Sequence, residues 1–141
     1  MKLTLGMLLS SALLLAQPGW HTVKDRTGAC QVSVPPTWTI LSTPGWVSSP
    51  EHMATMVLEG HRRYTPWSPE TLKVLDVDKV FENSGKRSFY VTRPSKATPA
   101  LVNYHVEVPG GAKACILQIT ATPSYSPQEI QAIALGLSAV K

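Results

Sequence analysis

The chain has 141 residues, of which 43% are hydrophobic and 16% are charged, and its formal net charge at pH 7 is +4. These fractions are typical of a folded globular protein and exclude a disordered chain, which would contain fewer large aliphatic residues and more charge. The basic residues form short pairs, Arg62-Arg63 and Lys86-Arg87, rather than a stripe that follows a phosphate backbone, so no nucleic-acid partner is expected.

The N-terminal segment Met1–Ala16 has the pattern of an export signal. Lys2 supplies a positive start, an apolar run of about fourteen residues follows, and a small residue precedes the break at Gln17-Pro18-Gly19. The run is shorter than the roughly 18 to 20 apolar residues that a membrane-spanning helix requires. We therefore predict a signal peptide over 1–16, a periplasmic or extracellular location, and one domain over 17–141 without a stable membrane span.

The first predicted strand covers about Ala29 to Val34, where apolar and polar residues alternate, and it ends at Pro35-Pro36. The chain contains two cysteines, Cys30 and Cys115, and an even number of well-separated cysteines in an exported chain predicts one disulfide. Such a bond would close a loop of about 85 residues and stabilise the fold by about 4 to 4.5 kcal/mol. The alternative is two separate buried thiols that pack as small apolar side chains.

The middle of the chain predicts short elements that are separated by proline and glycine turns. Trp38 begins an extended segment and is assigned to the core. The next strand is predicted over Met53 to His61, and its alternation places four residues on one face: Thr55, Val57, Glu59 and His61. Ser68 is a typical N-cap for a short helix, and a hairpin is predicted around the turn Asn83–Lys86.

The last third of the chain predicts two long strands and a helix. Pro109-Gly110-Gly111 separates them, and the second strand, over Ala112 to Thr122, is apolar on both faces and is therefore expected at the centre of the sheet. Ser126 caps a helix whose apolar residues recur at helical spacing: Ile130, Ile133, Ala134, Leu137 and Val140. The predicted fold class is α+β, an antiparallel sheet with a short middle helix and a C-terminal amphipathic helix packed on it.

The run from Cys30 to Trp38, a strand followed by proline and then tryptophan, resembles the opening of PsbP-like domains. The segments 114–122 and 126–140 resemble the last strand and the terminal helix of that family, which includes the extrinsic photosystem II subunit P. The Ran-binding nuclear import factor shares the same fold. The resemblance implies a PsbP-like sandwich in an exported bacterial member. Proteins with this fold differ in function, and none of the family's functional residues carries over to this chain.

The sequence lacks two common motifs of hydrolytic active sites. Gly-x-Ser-x-Gly and His-Glu-x-x-His do not occur. No glycine-rich loop between a strand and a helix indicates nucleotide binding. We therefore predict a non-catalytic protein without a cofactor.

Four residues support a second hypothesis, in which the protein is a metal-dependent binding protein or enzyme. Glu59 and His61 lie two apart on one predicted strand, and His105 and Glu107 lie two apart on another, so each pair shares a face. If the two strands are neighbours, the four side chains would meet and supply the imidazole and carboxylate ligands that suit zinc or copper. The alternative is that all four face solvent on half-exposed strands.

Three aromatic residues in the proline-rich loops are candidates for contacts with a partner: Trp46, Tyr64 and Trp67. Exposed rings on loops bind ligands and protein surfaces, whereas packing of the loops themselves is the alternative role. The main functional hypothesis is an exported, non-catalytic domain with a binding or assembly role, which acts through contacts with an unidentified protein or small ligand.

Overall fold

The computed structural model describes residues 19–61, 63–111 and 113–140. The predicted signal peptide over 1–16 lies outside these residues. Within the described ranges the chain forms two antiparallel sheets and two α-helices, which confirms the predicted α+β class with more sheet than helix. No helix in these ranges is long and apolar enough to cross a membrane.

The smaller sheet has three strands in the order β1-β2-β10. Their bounds are His21–Lys24 for β1, Cys30–Val34 for β2 and Ser138–Ala139 for β10. The central strand β2 confirms the first predicted strand, and the other two pair with it in antiparallel register. The sequence does not predict β1 and β10, because strands this short show too little alternation to be recognised.

The larger sheet has seven strands in the order β3-β4-β5-β9-β8-β7-β6. Their bounds are Thr39–Ile40 for β3, Trp46–Ser48 for β4, Ala54–His61 for β5, Val77–Asn83 for β6, Ser88–Thr92 for β7, Val102–Pro109 for β8 and Ala114–Ala121 for β9. The helices are α1, Pro69–Val74, and α2, Pro127–Leu135, and a short 3-10 turn covers Pro50–His52. As predicted, β9 is at the centre of this sheet, and β6 and β7 form a hairpin at one edge.

The core lies between the inner face of the larger sheet, the smaller sheet and α2. The helix contributes three side chains with no exposed surface: Ile130, Ile133 and Ala134. Trp38 is 3% exposed, which confirms its assignment to the core. Its indole Nε1 donates a hydrogen bond to the hydroxyl of Tyr125 at 3.0 Å, and that hydroxyl donates to the carboxylate of Glu129. Burial and the adjacent carboxylate raise the pKa of Tyr125.

The predicted C-terminal helix ends earlier than its apolar pattern indicates. The helix α2 ends at Leu135, so the extension to Val140 is wrong. Gly136 follows as the C-cap, and glycine is a poor helix former. The next residues gain backbone hydrogen bonds with the smaller sheet instead, and the N–H of Val140 donates to the carbonyl of Ala29 at 2.8 Å. Leu137 is buried although it lies outside the helix. The apolar spacing therefore predicted correctly that Leu137 is buried, but it did not predict where the helix ends.

The predicted disulfide between Cys30 and Cys115 is present, with an S–S distance of 2.06 Å and Cα atoms 5.6 Å apart. Both residues are buried. Cys30 lies in β2 and Cys115 lies in β9, so the bond joins the smaller sheet to the central strand of the larger one. A buried disulfide is consistent with an exported protein, because such bonds persist in oxidising compartments.

Candidate functional site

Two of the three aromatic residues proposed as partner contacts pack against the protein's own loops and strands. The hydroxyl of Tyr64 donates to a backbone carbonyl in the turn between β6 and β7, and it lies 3.2 Å from Ser88 Oγ. The ring of Trp67 packs edge-on against the rings of Tyr90 and His105, at centroid distances of 6.4 and 5.9 Å. These contacts agree with the alternative role, in which the two rings pack within the protein and hold the loops in place.

Trp46 differs from the other two because its ring is available to a ligand. The residue is 41% exposed, and its side chain makes no hydrogen bond or ring contact with the described part of the chain. It begins β4 and pairs with Val57 of β5 on the face of the larger sheet that lies away from the core. An exposed tryptophan fixed on a strand offers a large, rigid contact surface at a small cost in conformational entropy.

Trp46 lines a groove of about 320 Å³, which we call the Trp46 groove. Its other lining residues come from three places in the chain: residues 25–27 in the turn between β1 and β2, Thr43 and Pro44 before β4, and residues 57–60 of β5. The groove therefore depends on the way the smaller sheet meets the larger one. A concave site that combines an aromatic ring with a few polar groups is typical of ligand binding.

Two charged side chains in the Trp46 groove are available to a ligand. Glu59 is exposed and lies two residues beyond Val57, so it shares a face with Trp46. Neither the carboxylate of Glu59 nor the guanidinium of Arg26 forms a hydrogen bond or ion pair with a residue that the structure describes. Because diagonal neighbours on adjacent strands lie about 7 to 8 Å apart, one cationic group can contact the indole and the carboxylate together.

A third charged residue of the groove, Asp25, is fully engaged in the turn between β1 and β2. It is 6% exposed. Its Oδ1 accepts from the N–H of Cys30 at 2.9 Å, and its Oδ2 accepts from the hydroxyl of Thr27 at 2.7 Å. Burial alone would raise the pKa of Asp25, but the hydroxyl of Thr27 and backbone N–H groups of the turn hold the pKa below its ordinary value of 3.8. Asp25 therefore holds the groove's wall and the first cysteine in position.

Replacing Asp25 with Ala should lower the free energy of unfolding by about 2 kcal/mol at pH 7, because buried donors lose a charged acceptor. A carboxyl whose pKa is depressed in the folded state stabilises the protein above the pKa of the unfolded chain. That contribution is lost as the pH falls through the lower pKa of the folded state. Urea unfolding of both proteins at pH 7 and in steps below pH 4 should show the difference shrinking. A difference that does not change with pH would contradict the role assigned to the carboxylate.

Gly45 shapes the rim of the groove where β4 meets β5. Its φ is +83°, and a Cβ at this position would lie 2.3 Å from the carbonyl oxygen of Leu58. The N–H of Leu58 donates to the carbonyl of Gly45 at 2.9 Å. Only glycine tolerates both the left-handed conformation and this close approach of the two backbones.

The four residues of the predicted metal site lie on strands that are not neighbours. β9 lies between β5 and β8, and Glu59 and Glu107 both pair with Ile116, one from each side. The backbones of β5 and β8 are therefore about 10 Å apart, since adjacent strands are separated by about 4.8 Å. The condition under which the four side chains would meet, that the two strands are neighbours, is therefore not met.

One pair of the proposed metal ligands is in contact. Nε2 of His105 lies 3.3 Å from Oε2 of Glu107, and Glu107 is fully buried rather than solvent-facing. The side chain of His61 lies outside the described part of the structure. Among the side chains that are described, no group of three or more His, Cys, Asp or Glu residues could hold a metal ion. The metal site thus stays a prediction of the sequence.

A serine and histidine pair that the sequence analysis did not single out lies beside β4. Oγ of Ser48 is 2.8 Å from Nδ1 of His52, a separation that also occurs between a nucleophile and its base. Ser48 is buried, and no described residue orients the other ring nitrogen of His52. The contact closes the turn Pro50–His52, where Glu51 and His52 have positive φ. No motif marks the pair, because the turn rather than a fixed residue spacing brings the two together.

Two further depressions occur at the same end of the molecule as the Trp46 groove. One, of about 410 Å³, is lined by both cysteines, Gly60 and the turn that precedes β9. The other, of about 270 Å³, is lined by Arg63, Tyr64 and the same turn. Neither places an exposed tryptophan beside an available carboxylate, so the Trp46 groove is the stronger candidate site.

No protein-family model matches this chain, and no curated protein matches it. A solved structure that it resembles is a crystal structure of a protein from Bacteroides thetaiotaomicron, with a TM-score of 0.57 and 10% sequence identity. The similarity covers 87% of this chain and 49% of that one, so this chain spans about half the length of the Bacteroides protein. At this identity the two proteins are similar in fold alone.

Proposed function

We propose that this chain is an exported, non-catalytic binding domain of the PsbP-like type, which contacts a protein or small ligand through the Trp46 groove. The α+β fold, with a helix packed on the inner side of a large antiparallel sheet, supports the PsbP-like type. The buried bond between Cys30 and Cys115 supports export. The sequence contains no Gly-x-Ser-x-Gly, no His-Glu-x-x-His and no glycine-rich loop between a strand and a helix, which supports a binding role rather than catalysis.

One observation carries the proposal. An exposed indole, an available carboxylate and an available guanidinium line a single groove: those of Trp46, Glu59 and Arg26. Exposed aromatic rings and arginines are enriched where proteins bind partners. A metal-dependent role through Glu59, His61, His105 and Glu107 is less well supported, because only the contact between His105 and Glu107 favours it.

Replacing Trp46 with Ala should strongly reduce retention of the binding partner while leaving the fold intact. The experiment uses the tagged full chain, expressed so that export and disulfide formation take place, and compares what it retains from the exported fraction with what the variant retains. We expect at least a tenfold loss, which corresponds to about 1.4 kcal/mol and is below the cost of truncating a typical hot-spot tryptophan.

The matched control for this experiment is Ile40→Ala. Ile40 is also exposed, at 51%, and it lies on the neighbouring strand β3. It pairs with Val47 and is therefore on the opposite face from Trp46. Equal retention by the native chain and the Trp46 variant, with both folded, would contradict the proposed function.

A further inference from the structure

The floor of the Trp46 groove includes a short open edge of β5. β4 pairs with residues 55–57 of β5, and Gly45 extends this contact to Leu58. Beyond that point no described strand pairs with β5 on this side, although β9 continues to pair with it on the other. Gly60, which lines the groove, lies on this open edge.

The backbone groups of Gly60 point toward the open edge. The carbonyl of Ala54 accepts from Ser49, and the N–H of Leu58 donates to Gly45, both at 2.9 Å. In an antiparallel strand every second residue directs its N–H and C=O to the same side. Ala54 and Leu58 face the side of β4, so Gly60, two residues beyond Leu58, faces that side as well. No residue that the structure describes forms a hydrogen bond with the N–H of Gly60.

An open strand edge with an available donor and acceptor is a template for an added strand. Extended peptides bind such edges through main-chain hydrogen bonds, and the side chains of the groove select their sequence. The groove therefore offers the main-chain groups that a peptide requires.

The charges of the groove complement a peptide with two charged groups. Trp46 and Glu59 share a face, and an indole beside a carboxylate suits a basic side chain. Arg26 lies on the turn between β1 and β2, and its guanidinium suits a carboxylate. Glu59 and Arg26 do not form an ion pair with each other, so both groups are available to contact a ligand.

We propose that the Trp46 groove binds a short extended peptide in which a basic side chain lies next to a carboxylate. The main chain of the peptide pairs with Gly60, the basic side chain contacts Trp46 and Glu59, and the carboxylate contacts Arg26. The carboxylate belongs to the C-terminus of the peptide or to an acidic side chain, which have the same chemistry. This inference rests on the proposed function, because it assigns a ligand class to the same groove.

The test uses four synthetic peptides and the 15N-labelled full chain after export. The first is acetyl-Ala-Ala-Lys-Ala with a free C-terminal carboxylate, the second is its amide, and the third contains Gln in place of Lys. The fourth, acetyl-Ala-Ala-Lys-Glu-Ala-amide, carries the carboxylate on a side chain. The first or the fourth peptide should shift the Gly60 amide and Trp46 indole resonances, and whichever binds more tightly identifies the source of the carboxylate. We expect the second and third peptides to bind about tenfold more weakly than the tighter of these two.

Variants separate recognition from folding. Glu59→Gln should remove the preference for Lys over Gln, and Arg26→Gln should remove the preference for a carboxylate. Glu70→Gln, at an exposed position in the first turn of α1, is the matched control and should leave both preferences unchanged. Trp46→Phe retains an aromatic face and should bind within a few-fold of the native chain, whereas Trp46→Ala should not bind.

Equal affinity for the Lys and Gln peptides, or no shift at Gly60 with any peptide, would overturn the inference. If peptides fail while retention of a partner from the exported fraction still depends on Trp46, the ligand class is wrong and the proposed binding function stands. If both fail, the Trp46 groove is not a binding site.

Discussion

Replacing Cys30 and Cys115 together with Ala should lower the free energy of unfolding by about 4 to 4.5 kcal/mol. The two residues are 85 positions apart, so loss of the bond releases a long loop and increases the entropy of the unfolded chain. The bond also joins the two sheets of the fold. Urea unfolding at pH 7, followed by circular dichroism, measures the difference between the native and variant proteins.

The single variants provide the control for this prediction. Cys30→Ala and Cys115→Ala should each cost about as much as the double variant, because either change removes the same bond. The native protein, denatured without reductant, should contain no free thiol. Two reactive thiols, or a loss below about 1 kcal/mol in the double variant, would contradict a stabilising disulfide.

Replacing Ile133 with Ala should lower the free energy of unfolding by about 2 to 5 kcal/mol. Ile133 has no exposed surface and packs between α2 and the sheets, so its truncation leaves a cavity as well as removing buried apolar area. The same urea unfolding experiment measures the loss. A large effect would show that α2 is a necessary cover for the core.

Leu135→Ala is the matched control on the same helix. Leu135 is 41% exposed, and its truncation should change the free energy of unfolding by less than about 0.5 kcal/mol. Both positions are within the helix α2, so a difference between the two losses in the free energy of unfolding reflects burial rather than helix propensity. Equal losses at the two positions would contradict the orientation of α2.

The sequence predicted those elements whose signals lie within a few residues. Alternation over Met53 to His61 matches β5, and the two caps act as predicted: Ser68 accepts from the N–H of Thr71, and Ser126 accepts from that of Glu129. The apolar character of both faces of β9 correctly indicated a central strand. A local pattern gives the wrong prediction where a long-range contact competes with it. The apolar spacing predicts a helix that continues past Leu135, but the residues after Leu135 pair with β2 as the strand β10 instead.

The candidate site was only partly predictable for the same reason. Composition drew attention to Trp46, but the same argument applied equally to Trp67, which the structure packs against the rings of Tyr90 and His105. Arg26 carried no signal in the sequence, because it is an ordinary turn residue until the smaller sheet brings it to the groove. Exposure and the neighbours of a ring are properties of the folded chain.

By itself the sequence determined the α+β class, the strand faces, the helix starts and the pairing of the two cysteines, since each follows from spacing, capping chemistry or residue type. Only the tertiary structure decided the order of the strands, which separates Glu59 from Glu107 by placing β9 between their strands, and which brings Glu59 to the same groove as Arg26. The physical reason is that strand order depends on how apolar faces distant in the chain are buried together, and no local pattern encodes that choice.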